Sequence, residues 1–145
     1  MTTRLVIDTN VALDLLVFAD PSVQLLHAAL AEQRAQWLVT DVMRAEFVRV
    51  LSYPRVAPRL LVAGHAEAEV QHLFDRLTCV VDPAPVAPCR CADPDDQMFV
   101  DLAVQHGAWL LSKDAAVLAL KRQLQGLGVA VSLPRAFGDG PLSPS

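Results

Sequence analysis

The sequence predicts an α/β fold, a three-layer α/β/α sandwich around a central, mostly parallel sheet. Two patterns predict it. Short apolar, partly β-branched runs alternate with stretches of helical periodicity along the whole chain. Several of those runs, Leu5-Val6-Ile7 and Trp109-Leu110-Leu111 among them, are apolar at every position, as strands covered on both faces are. The chain has 145 residues, 53% of them hydrophobic and 19% charged. That is enough for one domain with a sizeable core, and too apolar for disorder.

Residues 4–8 read as the first strand, ending on Asp8. Asn10 to Phe18 then runs helical, with Val11, Leu15 and Phe18 on one face. Asp20-Pro21 starts a second helix: the Asp caps, and Pro takes a first-turn place where no N–H donor is needed. Its stripe is Val23, Leu26, His27 and Leu30. Trp37-Leu38-Val39 is the next strand. Asp41 is expected to cap a helix that runs to about Tyr53, where Pro54 ends it. Residues 55–63 carry no clear assignment. A helix is expected from about Gly64 to Leu77, with Val70, Leu73, Phe74 and Leu77 on one face. Thr78 to Val81 is a candidate strand, and 82–92 a Pro-rich loop. Asp93-Pro94 repeats the cap signal for a helix running to His106, with Gly107 as its stop. Trp109–Leu111 is a strand, Ala115 to Gln123 a short helix, and Val129–Val131 a last strand. One domain over 1–137 is expected, with 138–145 a flexible tail.

The net charge of −4 excludes a globally basic nucleic-acid-binding domain. The charge is segregated, however. Arg44, Arg49, Arg55 and Arg59 fall in one stretch with a single acid, Glu46; Asp93, Asp95, Asp96 and Asp101 fall in another with no cation. Three cysteines, Cys79, Cys89 and Cys91, make an odd count and point to reduced, structural thiols. The one-residue spacing of Cys89 and Cys91 is not that of a zinc knuckle. No apolar run is long enough for a membrane span. The opening is too short and too soon acidic for a signal peptide, so a cytoplasmic location is expected. His27, His65, His72 and His106 show no metal-ligand spacing; His65 and His72 read as a surface pair on one helix. No glycine-rich phosphate loop is present. Trp37 and Trp109 read as core.

Ligands of an open parallel sheet bind outside the carboxyl ends of its strands. Topology puts Asp8 and Asp114 there. Helical periodicity adds Glu46, between Val42 and Val50, and Asp96, on a face with Phe99, Val100 and Ala103. Each acid has a plainer reading. Asp96 suits a helix first turn, and Asp95 a solvent-facing one. Asp93 suits an N-cap, Asp114 a turn or cap. Glu46 could pair with Arg44 or Arg49. Asp8 could cap the helix after it, although Asn10 is available for that. The site rests on all four acids converging. Crowded carboxylates repel one another, and a divalent cation with oxygen ligands, Mg²⁺ or Mn²⁺, relieves that repulsion. Such a centre suits phosphodiester cleavage, and arginines can hold phosphates. Arg55 and Arg59 themselves read as a solvated face.

These residues resemble a family. Val6-Ile7-Asp8-Thr9-Asn10-Val11 is similar to the opening of PIN-domain nucleases. Arg44-Ala45-Glu46 fits the family's second acid, Asp96-Gln97-Met98-Phe99-Val100-Asp101-Leu102-Ala103 its third, and Leu110-Leu111-Ser112-Lys113-Asp114 its fourth. The resemblance spans about residues 4 to 133, and Cys91 to Phe99 most resembles a branch of toxins from toxin–antitoxin pairs. It implies a Mg²⁺-dependent endoribonuclease, with Mn²⁺ able to substitute, that hydrolyses RNA with metal-activated water. It implies that Asp8, Glu46, Asp96 and Asp114 carry the metal and the catalysis. Thr9, Asn10 and Ser112 would orient carboxylates or water, and Arg44 and Lys113 would touch substrate phosphate. A small antitoxin protein and a homodimer are the implied partners. Many relatives carry a further acid where this chain has Ala116, which leaves the number of metals open. Two alternatives stand beside this one: an inactive PIN-like scaffold binding RNA or protein, and a haloacid-dehalogenase-like phosphatase. The phosphatase needs an acid where this chain has Asn10.

Overall fold

Five strands form one parallel sheet in the computed structural model, which describes residues 2–139. They are β1 (Thr3–Ile7), β2 (Ala35–Val39), β3 (Thr78–Val80), β4 (Trp109–Leu111) and β5 (Val131–Ser132), in the order β3-β2-β1-β4-β5. Leu5 of β1 stands opposite Trp37 on one side and Trp109 on the other. The all-apolar runs are buried at every position: Leu5, Val6 and Ile7 of β1, and Trp109, Leu110 and Leu111 of β4. The α/β fold expected from the strand–helix alternation is the fold observed. The chain winds one way from β1 to β2 and β3, then returns past β1 to β4 and β5. A crevice therefore opens beyond the carboxyl ends of β1 and β4.

The helices are α1 (Thr9–Leu13), α2 (Gln24–Ala31), α3 (Asp41–Val50), α4 (Ala57–Ala63), α5 (Glu67–Leu77), α6 (Gln97–His106), α7 (Ala115–Leu118) and α8 (Lys121–Gly126). The first does not stay regular to Phe18 as expected. It starts one residue earlier, widens into a π turn over Asp14–Phe18, and stops at Ala19 in the left-handed region. The Asp-Pro signal holds at Asp20, which caps a 3₁₀ turn over Pro21–Val23 leading into α2. It holds again at Asp93, which caps a 3₁₀ turn over Pro94–Asp96 leading into α6; Gly107, at φ 61°, ends α6.

Elsewhere the boundaries differ from expectation. Thr40, not Asp41, caps α3: its hydroxyl accepts from the Met43 N–H at 3.3 Å. Asp41 is the exposed first helical residue, where an acid suits the helix dipole. α3 ends at Val50, and the unassigned stretch contains α4, whose Pro58 occupies the tolerated first turn. Gly64, at φ 74°, closes α4 instead of opening α5. His65 thus precedes α5, while His72 lies on it, so the two do not share a helix. The expected helix from Ala115 to Gln123 breaks into α7 and α8. The last strand falls at Val131–Ser132, after a turn at Gly128. A 3₁₀ helix runs over Pro134–Asp139, two residues into the expected tail; residues 140–145 lie outside the described residues.

An aromatic cluster locks α3 and α5 onto β2. Phe74 stacks on Phe47 with ring centres 4.6 Å apart and meets Trp37 edge-on at 5.0 Å. Among the described residues no single helix is long and apolar enough to cross a membrane. The cap assignment on α3 has a direct test. Thr40→Ala is expected to lower stability by about 1 kcal/mol in chemical denaturation, because it leaves a helix N–H without its acceptor. Asp41→Ala is expected to cost no more than about 0.5 kcal/mol, the worth of a charge beside the dipole. Equal losses would assign the cap wrongly.

Candidate active site

The carboxyl end of β1 is built around Asp8. Its N–H donates to the Leu111 carbonyl at 3.2 Å, so the residue is pinned against β4. Its Oδ1 accepts from the Val11 N–H at 2.9 Å and caps α1. Its Oδ2 accepts from the Ser112 hydroxyl. Asn10 therefore does not cap this helix. Asp8 is only 3% exposed, and burial pushes its carboxyl above the usual range. The bonds from Ser112, Val11 and the Lys113 backbone pull it back, and the charge of Asp114 raises it further.

Ser112 links two of the acids. It is fully buried at the end of β4, with its N–H on the Ser132 carbonyl at 3.1 Å. While its hydroxyl donates to Asp8, its oxygen accepts from the Asp114 N–H at 3.0 Å. Asp114 in turn caps α7, its Oδ1 accepting from the Ala116 N–H at 2.8 Å.

The third arm enters from the loop before α6. Asp93 caps its 3₁₀ turn through Oδ1, which accepts from the Asp95 N–H at 3.0 Å. Asp93, Asp96 and Asp114 each offer an oxygen such that all three lie within 4.8 Å of one another. Asp96 Oδ2 is buried without a hydrogen-bond partner. The Asp96 carboxyl is pushed up to about 7, first by burial, then by the charge and hydrogen bond of Asp114, then by Asp93 and Asp8. Two residues of α6 hold the Pro-rich loop that delivers Asp93. Gln97 accepts from the Cys91 N–H at 2.6 Å and donates to the Cys89 carbonyl at 2.9 Å. Asp101 Oδ1 accepts from the Ala87 N–H and from Gln97, both at 2.8 Å. Cys89 and Cys91 are buried beside these bonds, and all three cysteines are free thiols, as expected.

The three grouped oxygens do not include Glu46 or Asp8, so the four expected acids are not all brought into one cluster; Glu46 reaches the end of β1 from α3, and for a reason other than the expected stripe. Val42 is 62% exposed, and the core face of α3 is Met43, Phe47 and Leu51. Glu46 stands half-buried at the edge of that face, where the Thr9 hydroxyl donates to its Oε2. Thr9 follows Asp8, so this bond ties α3 to the end of β1. The other expected residues are engaged as follows. Arg44 is gripped by Asp75 of α5 through two hydrogen bonds, at 2.7 and 2.9 Å. Lys113 forms an ion pair with the buried Asp14. Asn10 Oδ1 accepts from Arg55 at 3.1 Å.

Asp93 is the acid that the spacing argument undervalued: it is a cap, as expected, and it also stands in the cluster. Gln97, Asp101 and Asp14 carried no signal, since their roles are set by loops that pack only in three dimensions. Chemically, the crevice presents an all-oxygen donor set, crowded with negative charge, with one buried oxygen unpartnered. That set fits a hard divalent cation. The family described as PIN domain matches residues 4–116. No curated protein matches the chain.

Without added metal, Asp96 makes stability depend on pH. The folded carboxyl keeps its proton to about 7, while the unfolded one releases it near 3.8. The folded state binds more protons in between, so stability falls as pH rises through that window and levels off above it. In chelator, Asp96→Asn is expected to melt above wild type by a margin that widens between about pH 5 and about pH 8. A margin that stays constant with pH would place the Asp96 carboxyl in its ordinary range.

Proposed function

The chain belongs to the PIN-domain family, whose members are generally nucleases, and from that premise we propose that it is a Mg²⁺- or Mn²⁺-dependent endoribonuclease, the toxin of a toxin–antitoxin pair. The observation that carries this reading is the meeting of acids beyond β1 and β4 with the unpartnered Asp96 oxygen among them. Asp8, Glu46, Asp96 and Asp114 would hold the cation, and Asp93, whose carboxylate lies with those of Asp96 and Asp114, would offer a further oxygen. When bound, the cation neutralises the crowded carboxylates and supplies Lewis acidity toward water and the phosphodiester.

The chain's own groups fix the donors. Ser112 holds one Asp8 oxygen and the Asp114 backbone, and Thr9 holds Glu46. Asn10 anchors Arg55 at the rim. Lys113 and Arg44 are the cations expected to touch phosphate; Lys113 starts from Asp14, and Arg44 from Asp75. In the reaction, the oxygen of water joins phosphorus, the P–O ester bond breaks, and the departing oxygen takes up a proton. No side chain is needed as a nucleophile. The likeness of Cys91–Phe99 to the toxin branch supports a small antitoxin that covers the site in a cytoplasmic setting. Leu61 and Val62 of α4, 83% and 88% exposed, offer apolar surface for a homodimer.

Asp8, Asp93 and Asp114 are caps, so Ala variants would confuse folding with chemistry; Asn keeps the cap and removes the charge. Wild type is expected to cut RNA with Mn²⁺ or Mg²⁺ and not in excess chelator. Asp8→Asn is expected to lose about 100-fold or more in rate while folding normally. Mn²⁺ at about 100 times its Kd is expected to stabilise wild type by about 2.7 kcal/mol. Asp93→Asn is expected to lessen that stabilisation. A wild-type protein that neither binds Mn²⁺ nor cuts any RNA would leave the scaffold alternative standing.

A further inference from the structure

A cavity of about 420 Å³ lies beside the acids, lined by Asn10, Asp14, Phe18, Arg55, Arg59 and Lys113. Three cations face one carboxylate there, although the chain as a whole is acidic. The cations come from two parts of the chain: Lys113 from the turn after β4, and Arg55 and Arg59 from the turn that leads into α4 and from α4 itself. Arg55 and Arg59 are exposed, as a solvated face would have them, and Lys113, also exposed, meets them from across the fold. Each cation is also held in place. Arg55 rests on Asn10, the guanidinium of Arg59 lies 4.6 Å above the centre of the Phe18 ring, and Lys113 pairs with Asp14. Arg55 spends one N–H on Asn10, and stacking on Phe18 uses a face of Arg59 and not its N–H donors, so both forks keep donors for an anion.

The cavity adjoins the acid crevice through two short connections. Asn10 is two residues from Asp8, and Lys113 sits between Ser112 and Asp114. A polyanionic chain whose scissile phosphate lay at the acids would therefore bring a neighbouring phosphate toward these cations. We propose that the cavity formed by Asn10, Arg55, Arg59 and Lys113 holds a backbone phosphate of the nucleic-acid substrate, flanking the one that is cut. This inference rests on the acid crevice being a phosphodiesterase centre. It gives Arg55 and Arg59 the role of positioning the strand.

The test is binding of a short, fluorescein-labelled single-stranded RNA of mixed sequence to the full chain, in chelator, by anisotropy over a range of salt. The Arg55→Gln, Arg59→Gln double variant is expected to raise Kd about tenfold or more. It is expected to flatten the salt slope by about 0.7 for each phosphate that the arginines cease to neutralise. Arg55→Lys with Arg59→Lys keeps the charges and is expected to keep the slope while weakening binding less. Arg34→Gln, at the amino end of β2 and far from the crevice, is expected to change neither. Melting curves report whether each variant is folded. If wild type cuts RNA with Mn²⁺ but a folded double-Gln variant binds with unchanged Kd and slope, the phosphate subsite is wrong and the nuclease reading stands. If wild type neither binds RNA in chelator nor cuts it with Mn²⁺, both are overturned.

Discussion

A parallel strand that runs straight into a helix must find acceptors for the helix's first N–H groups, and the rest of this site depends on how that need is met. At the ends of β1 and β4, and at the 3₁₀ turn before α6, the acceptor is an aspartate. Each spends one oxygen on its cap: Asp8 on Val11, Asp114 on Ala116, Asp93 on Asp95. A carboxylate has a second oxygen. Because the strands are parallel, β1 and β4 start their helices at the same edge of the sheet; there Asp93 and Asp114 bring carboxylate oxygens within 4.8 Å of each other and of Asp96, while the second oxygen of Asp8 goes to Ser112. A helix cap and a place in an acid cluster are therefore compatible uses of one side chain, as Asp93 and Asp114 show.

The gathering has an electrostatic cost that the fold only partly offsets. Ser112 gives Asp8 a hydroxyl donor, and Thr9 gives Glu46 another. Asp96 receives no such donor on its buried oxygen. It takes up the strain of the cluster as a carboxyl that keeps its proton near neutrality. Helix dipoles give little relief, since α1 and α7 have five and four residues. Protonation relieves the crowding of charge in the free state, and a bound cation would relieve it in the same way, so the cost of the cluster falls at one place in the chain.

Much of this was legible in the sequence, for definite reasons. Strands buried on both faces read as unbroken apolar runs, so β1 and β4 stood out. The two Asp-Pro starts and the Gly107 stop are local stereochemistry, which needs no tertiary context. Glu46 was legible as a residue but not for its reason: Val42 and Val50 suggested a stripe, whereas the core side is Met43, Phe47 and Leu51. Thr40 was overlooked as a cap because Asp41 beside it is an equally good cap former, and only backbone geometry separates the two. The loop from 81 to 93 was legible only as Pro-rich. Gln97 and Asp101 hold it by reaching back to Cys89, Cys91 and Ala87. No pattern within either segment announces that pairing.

Charge shows the same division between local and global. A net charge of −4 excludes a basic domain, yet it describes no point on the surface. The acids are concentrated because helix starts demand acceptors at one edge of the sheet. The arginines near α4 are free of that demand, and the chain folds Arg55 and Arg59 back against Asn10 and Phe18, next to the acids. Opposite charges then lie in neighbouring parts of one edge of the fold, with Arg55 bonded to Asn10 and Lys113 paired with Asp14. On the proposed reading, a nucleic acid would meet that boundary as a repeating anion, one phosphate beside the cations and the next beside acids that a bound cation would have to screen. Binding at the arginines and cutting at the acids would then be separable properties, and the sum of charges along the chain predicts neither.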